Sequence, residues 1–238
     1  YNTVSNLQVS VTVNKATPTI NATPTAAPIT YGAVLSSASL SGGSASVAGS
    51  FAYAAPNSTP AAGTANQSVT FTPSDTANYN TVSNLQVSVT VNKATPSVTA
   101  TPTVAVMTYG DTLQDTNLVG GAASVAGAFT FNAAGSTPAA SATSAAVTFT
   151  PDDTTNYNTV SLNVAISVSK ATPSIDVAPT ASGITYGVAL SAATLSGGAA
   201  SVAGSFAYAT PTIVPTAGTY SAAVVFTPTG DGGTANYN

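Results

Sequence analysis

Apolar and polar residues alternate strictly over the segment from Leu85 to Asn92. One face carries Leu85, Val87, Val89 and Val91, and the other carries Gln86, Ser88, Thr90 and Asn92. A period of two residues is that of a β-strand with one buried face. The same alternation occurs near the start of the chain, at Leu7, Val9, Val11 and Val13. The pattern therefore predicts two strands of identical sequence.

Shorter alternating segments predict further strands. Phe51 and Tyr53 flank Ala52, and Val69 and Phe71 repeat the same spacing. Val and Thr, which favour strands, are abundant, whereas the helix formers Glu and Arg are absent. Pro or Gly interrupts the pattern about every 8 to 12 residues, which is typical of short strands in an antiparallel sandwich. The sequence thus predicts an all-β fold built from antiparallel β-sandwiches.

The chain also repeats itself. Lys-Ala-Thr-Pro begins at Lys15, Lys93 and Lys170, with spacings of 78 and 77 residues, and Thr-Tyr-Gly, Val-Ala-Gly and Phe-Thr-Pro recur at the same spacings. Residues 1–18 are identical to residues 79–96. We therefore divide the chain into residues 1–14, which copy the final strand of a preceding repeat, and three repeats. These are repeat 1 (15–92), repeat 2 (93–169) and repeat 3 (170–238), the last of which lacks its own final strand.

A repeat of this length is a small autonomous domain rather than a solenoid unit, so each repeat must bury its own core. About seven short strands fit into one repeat. The final strand of repeat 1 continues into Lys93 with almost no linker, and Pro96 restricts the backbone just beyond it. We therefore expect successive repeats to be restrained at their joints rather than freely jointed.

The composition excludes several classes of function. Charged residues make up 4% of the 238 residues, where an ordinary soluble domain has about 25%. Nucleic-acid binding requires clustered Lys and Arg, but the chain has three Lys and no Arg. His, Glu and Cys are absent, which removes the usual catalytic bases, thiols and metal ligands. We expect no enzymatic activity, no cofactor and, without an apolar run of about 18 residues, no membrane insertion of this segment.

The ordered motifs resemble a known family. Lys-Ala-Thr-Pro, Thr-Tyr-Gly, Val-Ala-Gly-Ser-Phe-Ala-Tyr, Phe-Thr-Pro and Asp-Thr-Ala-Asn-Tyr-Asn together are similar to bacterial immunoglobulin-like repeats of group three and the related MBG-type repeats. The resemblance covers all three repeats. It implies tandem immunoglobulin-like antiparallel β-sandwiches of about 78 residues each, in a large secreted or surface-displayed, adhesin-like protein. Tyr220 follows the family's strand pattern, whereas Ala65 and Thr143 stand at the matching positions of repeats 1 and 2.

One repeated turn combines an aspartate with a tyrosine. Asp75 precedes Tyr79 by four residues, and Asp153 precedes Tyr157 by four. The structural interpretation is a tyrosine-corner-like turn, in which Asp caps the backbone and the Tyr hydroxyl bonds a nearby carbonyl. The functional alternative is a calcium site that includes Asp152 and Asp153. Calcium requires six to eight oxygen ligands, however, and repeat 1 offers only Asp75 locally, so we favour the structural interpretation.

The three lysines occupy one repeated position at the joints. A Lys-Asn isopeptide cross-link needs a neighbouring Glu or Asp, but the chain has no Glu and the nearest Asp to Lys15 in sequence is Asp75. We expect solvated lysines that mark the joints and discourage edge pairing.

The resemblance and the composition favour a non-catalytic structural stalk or spacer of a bacterial cell-surface or secreted protein, with an extracellular location. One alternative is a binding module whose loops recognise a glycan or a protein, although the ligand is unknown. A second alternative is a subunit of an extracellular filament assembled head to tail by donor-strand exchange. The expected partners are neighbouring repeats or copies of the same protein.

The strand-exchange alternative follows from the repeat boundaries. Leu7, Val9, Val11 and Val13 form a spare strand, while repeat 3 lacks the equivalent strand. An incomplete sandwich exposes an apolar groove and unpaired backbone groups, which an added strand satisfies. We expect repeat 3 to be completed from outside residues 170–238, either by the continuation of the polypeptide or by residues 1–14 of another molecule.

Overall fold

The computed structural model describes all 238 residues and confirms the predicted all-β class. Strands account for 40% of the chain, and no α-helix forms. The short 3-10 turns are Leu35–Ser37, Asp115–Asn117, Leu190–Ala192 and Gly233–Ala235. No helix in the structure is long and apolar enough to cross a bilayer.

Repeat 1 contains eight strands. They are β1 (Ile20–Ala22), β2 (Thr25–Ala26), β3 (Ile29–Thr30), β4 (Leu40–Ser41), β5 (Ser44–Ala45), β6 (Gly49–Tyr53), β7 (Gly63–Pro73) and β8 (Val82–Asn92). The largest sheet has the order β3-β8-β7-β6, and two small antiparallel pairs, β1-β5 and β2-β4, accompany it. The predicted alternation in β8 is confirmed, because Val87, Val89 and Val91 are buried and the residues between them are exposed.

Repeat 2 follows the same plan. Its strands are β9 (Val98–Ala100), β10 (Thr103–Val104), β11 (Met107–Thr108), β12 (Leu118–Val119), β13 (Ala122–Ala123), β14 (Gly127–Phe131), β15 (Ser144–Pro151), β16 (Val160–Ala165) and β17 (Val168–Ser169). Strands β14, β15 and β16 form one sheet, β9 pairs with β13, and β10 pairs with β12.

Repeat 3 has six strands. They are β18 (Ile175–Val177), β19 (Thr180–Ala181), β20 (Leu195–Ser196), β21 (Ala199–Ala200), β22 (Gly204–Tyr208) and β23 (Val224–Pro228). β23 corresponds to β7 but is less than half as long, with five residues instead of eleven. All five residues of β23 pair with β22.

Two strand pairs depart from the predicted antiparallel arrangement. β3 pairs in parallel with the end of β8, and β11 pairs in parallel with β17. In repeats 1 and 2, a short strand near the start of the repeat therefore runs in the same direction as the last strand of that repeat. In repeat 1, β3 pairs with one edge of β8 and β7 pairs with the other.

Repeats 1 and 2 each have a core of their own. The buried cluster in repeat 1 consists of Ile29, Leu35, Ala38, Tyr53, Val69, Val87, Val89 and Val91. The cluster in repeat 2 consists of Met107, Leu113, Phe131, Ala145, Val147, Val164, Ile166 and Val168. In repeat 1, β8 supplies three of the eight residues, and in repeat 2 the last segment, which runs from β16 into β17, also supplies three. The last segment of each of these repeats is therefore an integral part of the core.

The Val-Ala-Gly motif has a steric cause. A Cβ atom on Gly49 would lie 2.4 Å from the Phe71 ring and 2.4 Å from the carbonyl oxygen of Thr72. Phe71 in turn packs against Phe51 with ring centroids 5.0 Å apart. The same ring pair recurs in the other repeats, between Phe129 and Phe149 and between Phe206 and Phe226. Only glycine fits where the backbone approaches the ring this closely.

The chain forms two compact units. The first comprises residues 1–96 and 151–159, and the second comprises residues 97–150 and 160–238. The first unit therefore includes all of repeat 1 together with the Asn-Tyr-Asn turn of repeat 2.

Residues 1–14 form no strand, although their sequence predicts one. All fourteen residues are exposed, and Leu7, Val9, Val11 and Val13 are each at least 80% exposed. The alternation is present, but no neighbouring strand pairs with it.

Candidate functional site

The Asn-Tyr-Asn turn is built on an aspartate carboxylate. One Asp75 oxygen accepts hydrogen bonds from the backbone N–H groups of Ala77 and Asn78, each at 3.1 Å, and the other accepts from the Asn78 side chain at 2.8 Å. These bonds, led by the one from the Asn78 side chain, lower the pKa of Asp75. Asp153 binds the backbone and side chain of Asn156 in the same way. The carboxylates therefore cap the turn, and no group of three or more acidic side chains lies together.

Repeat 3 builds the same turn without the carboxylate. Gly233 stands four residues before Tyr237, where repeats 1 and 2 have aspartate. The inserted residues bring the backbone carbonyl of Asp231 to 2.7 Å from the Asn236 side-chain nitrogen. A backbone carbonyl thus replaces the carboxylate as the acceptor for the asparagine, and the orientation of the asparagine is maintained.

The start of each repeat is attached to its own turn. In repeat 1 the Ala16 N–H donates to the Asn78 carbonyl at 2.9 Å, and the Asn80 N–H donates to the Ala16 carbonyl at 2.8 Å. The Lys15 ammonium donates to the Thr76 carbonyl at 2.7 Å. The matching lysines bind the carbonyls of Thr154 and Thr234. The lysines are exposed as expected, but they also fasten the first residues of the repeat to the turn.

The expected hydroxyl bond of the tyrosine corner is absent. The structure shows no hydrogen bond from the hydroxyl of Tyr79 or Tyr157, so this part of the interpretation is wrong. In unit one the Tyr157 ring instead meets the Tyr31 ring edge to face, with centroids 5.3 Å apart and an angle of 84° between the ring planes. The tyrosine contributes its ring to the joint rather than its hydroxyl to the turn.

An asparagine completes the joint in the first unit. The Asn156 side-chain oxygen accepts a hydrogen bond from the Ala62 N–H at 2.7 Å. Asn156 is held in place from behind by Asp153. The joint between repeats 1 and 2 is therefore a tyrosine ring pair next to an asparagine-to-backbone hydrogen bond.

The second unit contains the same joint. Tyr109 and Tyr237 lie edge to face with centroids 5.2 Å apart and an angle of 82°. The Asn236 side-chain oxygen accepts from the Ala140 N–H at 3.0 Å. Both contacts match those of the first unit, although the supporting carboxylate has been replaced.

The joint also touches the final strand. The Tyr31 N–H donates to the Asn92 carbonyl at 2.8 Å, and the Tyr109 N–H donates to the Ser169 carbonyl at 2.8 Å. Tyr31 and Tyr109, which contact the turn of the next repeat, are thus hydrogen-bonded to the end of the last strand of their own repeat.

Sequence reasoning identified one side of this site and missed the other. The predicted residues Asp75, Tyr79, Asp153 and Tyr157 belong to the Asn-Tyr-Asn turns. The sequence predicts no contact for Tyr31 and Tyr109, the tyrosines against which the turn of the next repeat packs. The available signal was that Thr-Tyr-Gly and Asn-Tyr-Asn each recur once in every repeat. The strand-exchange residues lie apart from the joint, in the exposed segment 1–14.

Repeat 3 has the third tyrosine of the Thr-Tyr-Gly motif. Tyr186 corresponds to Tyr31 and Tyr109, and it is 74% exposed with no ring against it. Beside it lies a groove of about 520 Å³ whose lining includes Ile184, Leu190, Tyr208 and Tyr220. Tyr220, the residue that departs from the other repeats, therefore lies in the wall of this groove.

Comparison with known proteins gave no match: no family model matches the chain, and no curated protein sequence does.

Proposed function

We propose that the chain is a run of tandem immunoglobulin-like β-sandwiches that acts as a non-catalytic stalk or spacer in a bacterial cell-surface or secreted protein. The role of such a segment is to hold whatever it carries at a defined distance. The proposal requires that each repeat folds around its own core and that the joint between repeats resists bending.

The separate cores support the first requirement. The buried clusters of repeats 1 and 2 share no residues, and each includes the final strand of its own repeat. The repeated ring pair of Phe51 and Phe71, with Gly49 against it, shows that the packing is repeated as well as the sequence.

The recurrence of the joint carries the proposal. The tyrosine pair and the asparagine bond occur in both units with centroid distances of 5.3 and 5.2 Å and hydrogen bonds of 2.7 and 3.0 Å. An edge-to-face ring pair contributes about 0.5–1.5 kcal/mol beyond its buried area, and a hydrogen bond contributes a net 0.5–1.5 kcal/mol, roughly. Such contacts restrict bending without making the repeats one cooperative domain. The extracellular location rests on the resemblance to bacterial surface repeats.

Distance measurements between spin labels test the spacer function. The chain has no cysteine, so Ser50→Cys together with Ala128→Cys creates the only two labelling sites, at equivalent exposed positions of repeats 1 and 2. We expect a single narrow distance distribution by double electron–electron resonance. Adding Tyr31→Ala and Asn156→Ala is expected to broaden the distribution, while adding the surface change Ser88→Ala leaves it narrow. A broad distribution in the chain with intact joints would contradict the spacer function.

A further inference from the structure

The first residues of each repeat pair in parallel with a turn near its end. In repeat 1, Ala16 forms a parallel bridge with Tyr79. The Ala16 N–H donates to the Asn78 carbonyl at 2.9 Å, and the Ala16 carbonyl accepts from the Asn80 N–H at 2.8 Å. Two residues beyond Asn80 the chain enters β8, which leads out of the repeat into Lys93. The point where the chain enters the repeat is therefore hydrogen-bonded to the segment by which it leaves.

Side chains reinforce this contact between residues 15–17 and residues 76–80, which we call the clamp. The Lys15 ammonium donates to the Thr76 carbonyl at 2.7 Å. The Asn80 side chain donates to the Thr17 hydroxyl at 3.2 Å. Residues 15–17 are exposed, so the clamp buries little apolar surface. Its strength therefore comes from hydrogen bonds.

The clamp occurs in all three repeats. Ala94 and Ala171 form the same parallel bridges, with Tyr157 and Tyr237. Each alanine donates its N–H to one asparagine carbonyl and accepts from the N–H of another, at 2.8 to 3.0 Å. The lysine-to-carbonyl and asparagine-to-threonine bonds recur as well. The Lys-Ala-Thr and Asn-Tyr-Asn motifs are therefore the two sides of one contact.

A second parallel contact joins the early part of repeat 1 to its last strand. β3 pairs with the end of β8, with Ile29 opposite Val91 and Thr30 opposite Asn92. The Tyr31 N–H donates to the Asn92 carbonyl at 2.8 Å. By contrast, β7 pairs with β8 in the antiparallel direction. The early part of repeat 1 thus pairs in parallel with the last segment at two places, before β8 begins and where β8 ends.

The direction of pairing determines how these bonds respond to tension along the chain. Tension pulls residues 15–17 toward the preceding residues and pulls β8 toward the following repeat. Because the paired segments run parallel, the pull slides one past the other and loads all the hydrogen bonds of the clamp together. In an antiparallel pair that is pulled from one end, the bonds open one after another. Rupture of the clamp therefore requires several hydrogen bonds to break at once, since each alone contributes little.

The clamp also determines which residues carry the tension. While it holds, the force passes from Ala16 through hydrogen bonds to residues 78–80 and then along β8 to Lys93. Residues 18–77, which include five of the eight core residues of repeat 1, lie outside this path. They carry load only after the clamp breaks. An exposed contact thus protects the packing of the core from tension.

We propose that the clamp is a load-bearing site, and that it makes repeat 1 resist tension along the chain more strongly than tension applied in other directions. The parallel contact of β3 with β8 is a second barrier of the same kind. This load-bearing function rests on the proposed spacer function, because a repeat within a spacer is pulled through its neighbours. The two are tested separately, since spin-label distances report the rigidity of the joint and unfolding under force reports the clamp.

Single-molecule pulling in two directions tests the proposal with the whole 238-residue chain. The chain has no cysteine, so pairs of introduced cysteines determine where the handles attach. Asn14→Cys with Asn92→Cys loads the clamp in shear. Thr64→Cys with Asn92→Cys peels β7 from β8, because Thr64 lies opposite Thr90 at the end where β8 leaves the repeat. All three substituted positions are exposed. The lifetime of the folded repeat at one constant force is measured in both directions.

Two proline substitutions give a matched control. Ala16→Pro removes the N–H that donates to the Asn78 carbonyl in the clamp. Ala27→Pro removes an N–H that donates to the Ser39 carbonyl at 3.0 Å, outside the path of the tension. Both alanines are exposed. Lys15→Met removes only the ammonium group, so it weakens the clamp without any change in the backbone.

We expect the folded repeat to last at least about tenfold longer in shear than in peeling, because several hydrogen bonds must break together. Ala16→Pro should shorten the lifetime in shear roughly two- to tenfold and leave the lifetime in peeling unchanged. Lys15→Met should act in the same direction, whereas Ala27→Pro should leave the ratio of the two lifetimes unchanged.

Equal lifetimes in the two directions would overturn the proposal, and so would an equal effect of Ala16→Pro and Ala27→Pro on their ratio. A broad spin-label distance distribution together with a long lifetime in shear would contradict the spacer function and support the load-bearing site.

Discussion

Residues 1–14 and 79–92 have one sequence and two structures. The second copy forms β8, with Val89 1% exposed between β3 and β7, while its counterpart Val11 is 80% exposed with no strand around it. One local feature survives in both copies, since Asn6 and Asn84 have the left-handed backbone with φ of 72° and 63°. Asparagine adopts this conformation from its own chemistry, and in β8 it lies where the pairing with β7 shifts register.

The difference between the two copies separates what the local sequence determines in a strand from what its neighbours determine. Fixing the backbone costs about 1–2 kcal/mol per residue, whereas burying a valine side chain returns roughly 1.5–3 kcal/mol only when there is something to bury it against. The alternating pattern therefore predicts which face of a strand is buried. The strand itself forms only where neighbouring strands pair with it, as β3 and β7 pair with β8. In repeat 3 the counterpart of β7, β23, is shorter, and the counterpart of β3 forms no strand.

The same charged substitution in the two copies should give the largest contrast. Val89→Asp places a carboxylate in the core of repeat 1, and we expect it to lower the free energy of unfolding of that repeat by more than about 3 kcal/mol. Val11→Asp changes an exposed residue and should leave folding at low protein concentration unchanged. Chemical denaturation followed by circular dichroism measures both, and equal losses from the two substitutions would show that residues 1–14 are packed like β8.

Truncating the joint should have the next largest effect. Tyr157→Ala removes the ring that packs on Tyr31, and we expect a loss of about 1–2 kcal/mol from the coupling between repeats 1 and 2. Tyr157→Phe keeps the ring and removes a hydroxyl that makes no hydrogen bond, so it should be nearly neutral. Thermal unfolding of the two variants side by side gives the comparison, and a similar loss from the phenylalanine variant would mean that the hydroxyl has a partner after all.

Tyr53 of repeat 1 and its counterpart Tyr208 of repeat 3 differ in their hydrogen bonding. Tyr53→Phe leaves the Ala38 carbonyl without its donor, and we expect a destabilisation of about 1 kcal/mol. Tyr208→Phe removes a hydroxyl without a partner and should be neutral or slightly stabilising in the monomeric chain. The two variants are compared by urea denaturation at low protein concentration. A cost for Tyr208→Phe equal to that for Tyr53→Phe would indicate that the Tyr208 hydroxyl has a hydrogen-bond partner.

The acid dependence of the turn should be the smallest effect. Hydrogen bonds from Asn78 lower the pKa of Asp75 in the folded state, so its stabilising contribution is present above the unfolded pKa of about 3.9. That contribution is lost as the pH falls through the lower folded-state pKa. Melting temperatures between pH 2 and pH 7 should show a smaller decrease at low pH for Asp75→Asn than for the unmodified chain. Asp152→Asn, which removes the same charge outside this hydrogen-bond network, should keep the full decrease.

Local patterns predicted much of the fold. Alternation located β6, β7 and β8, and the repeat spacing implied that the three repeats share one strand plan, because both depend on residues close in sequence. The parallel pairing of Ile29 with Val91 was not predictable, since the two residues are 62 positions apart and nothing in their types specifies a direction. The turn around Asp75 was predicted because its hydrogen bonds join residues close in sequence. Tyr157 and Tyr31 are far apart in sequence, so their ring contact required the structure.

Hydrogen exchange of the two identical segments tests the central claim most directly. Residues 3–13 and 81–91 have the same neighbours, so their amides have the same intrinsic exchange rates and any difference reports structure alone. Assigned amide spectra of the 238-residue chain at low concentration should show strong protection from Gln86 to Val91 and near-intrinsic exchange from Gln8 to Val13. Comparable protection of both segments in the monomer would contradict the claim that this sequence becomes a strand only where a groove receives it.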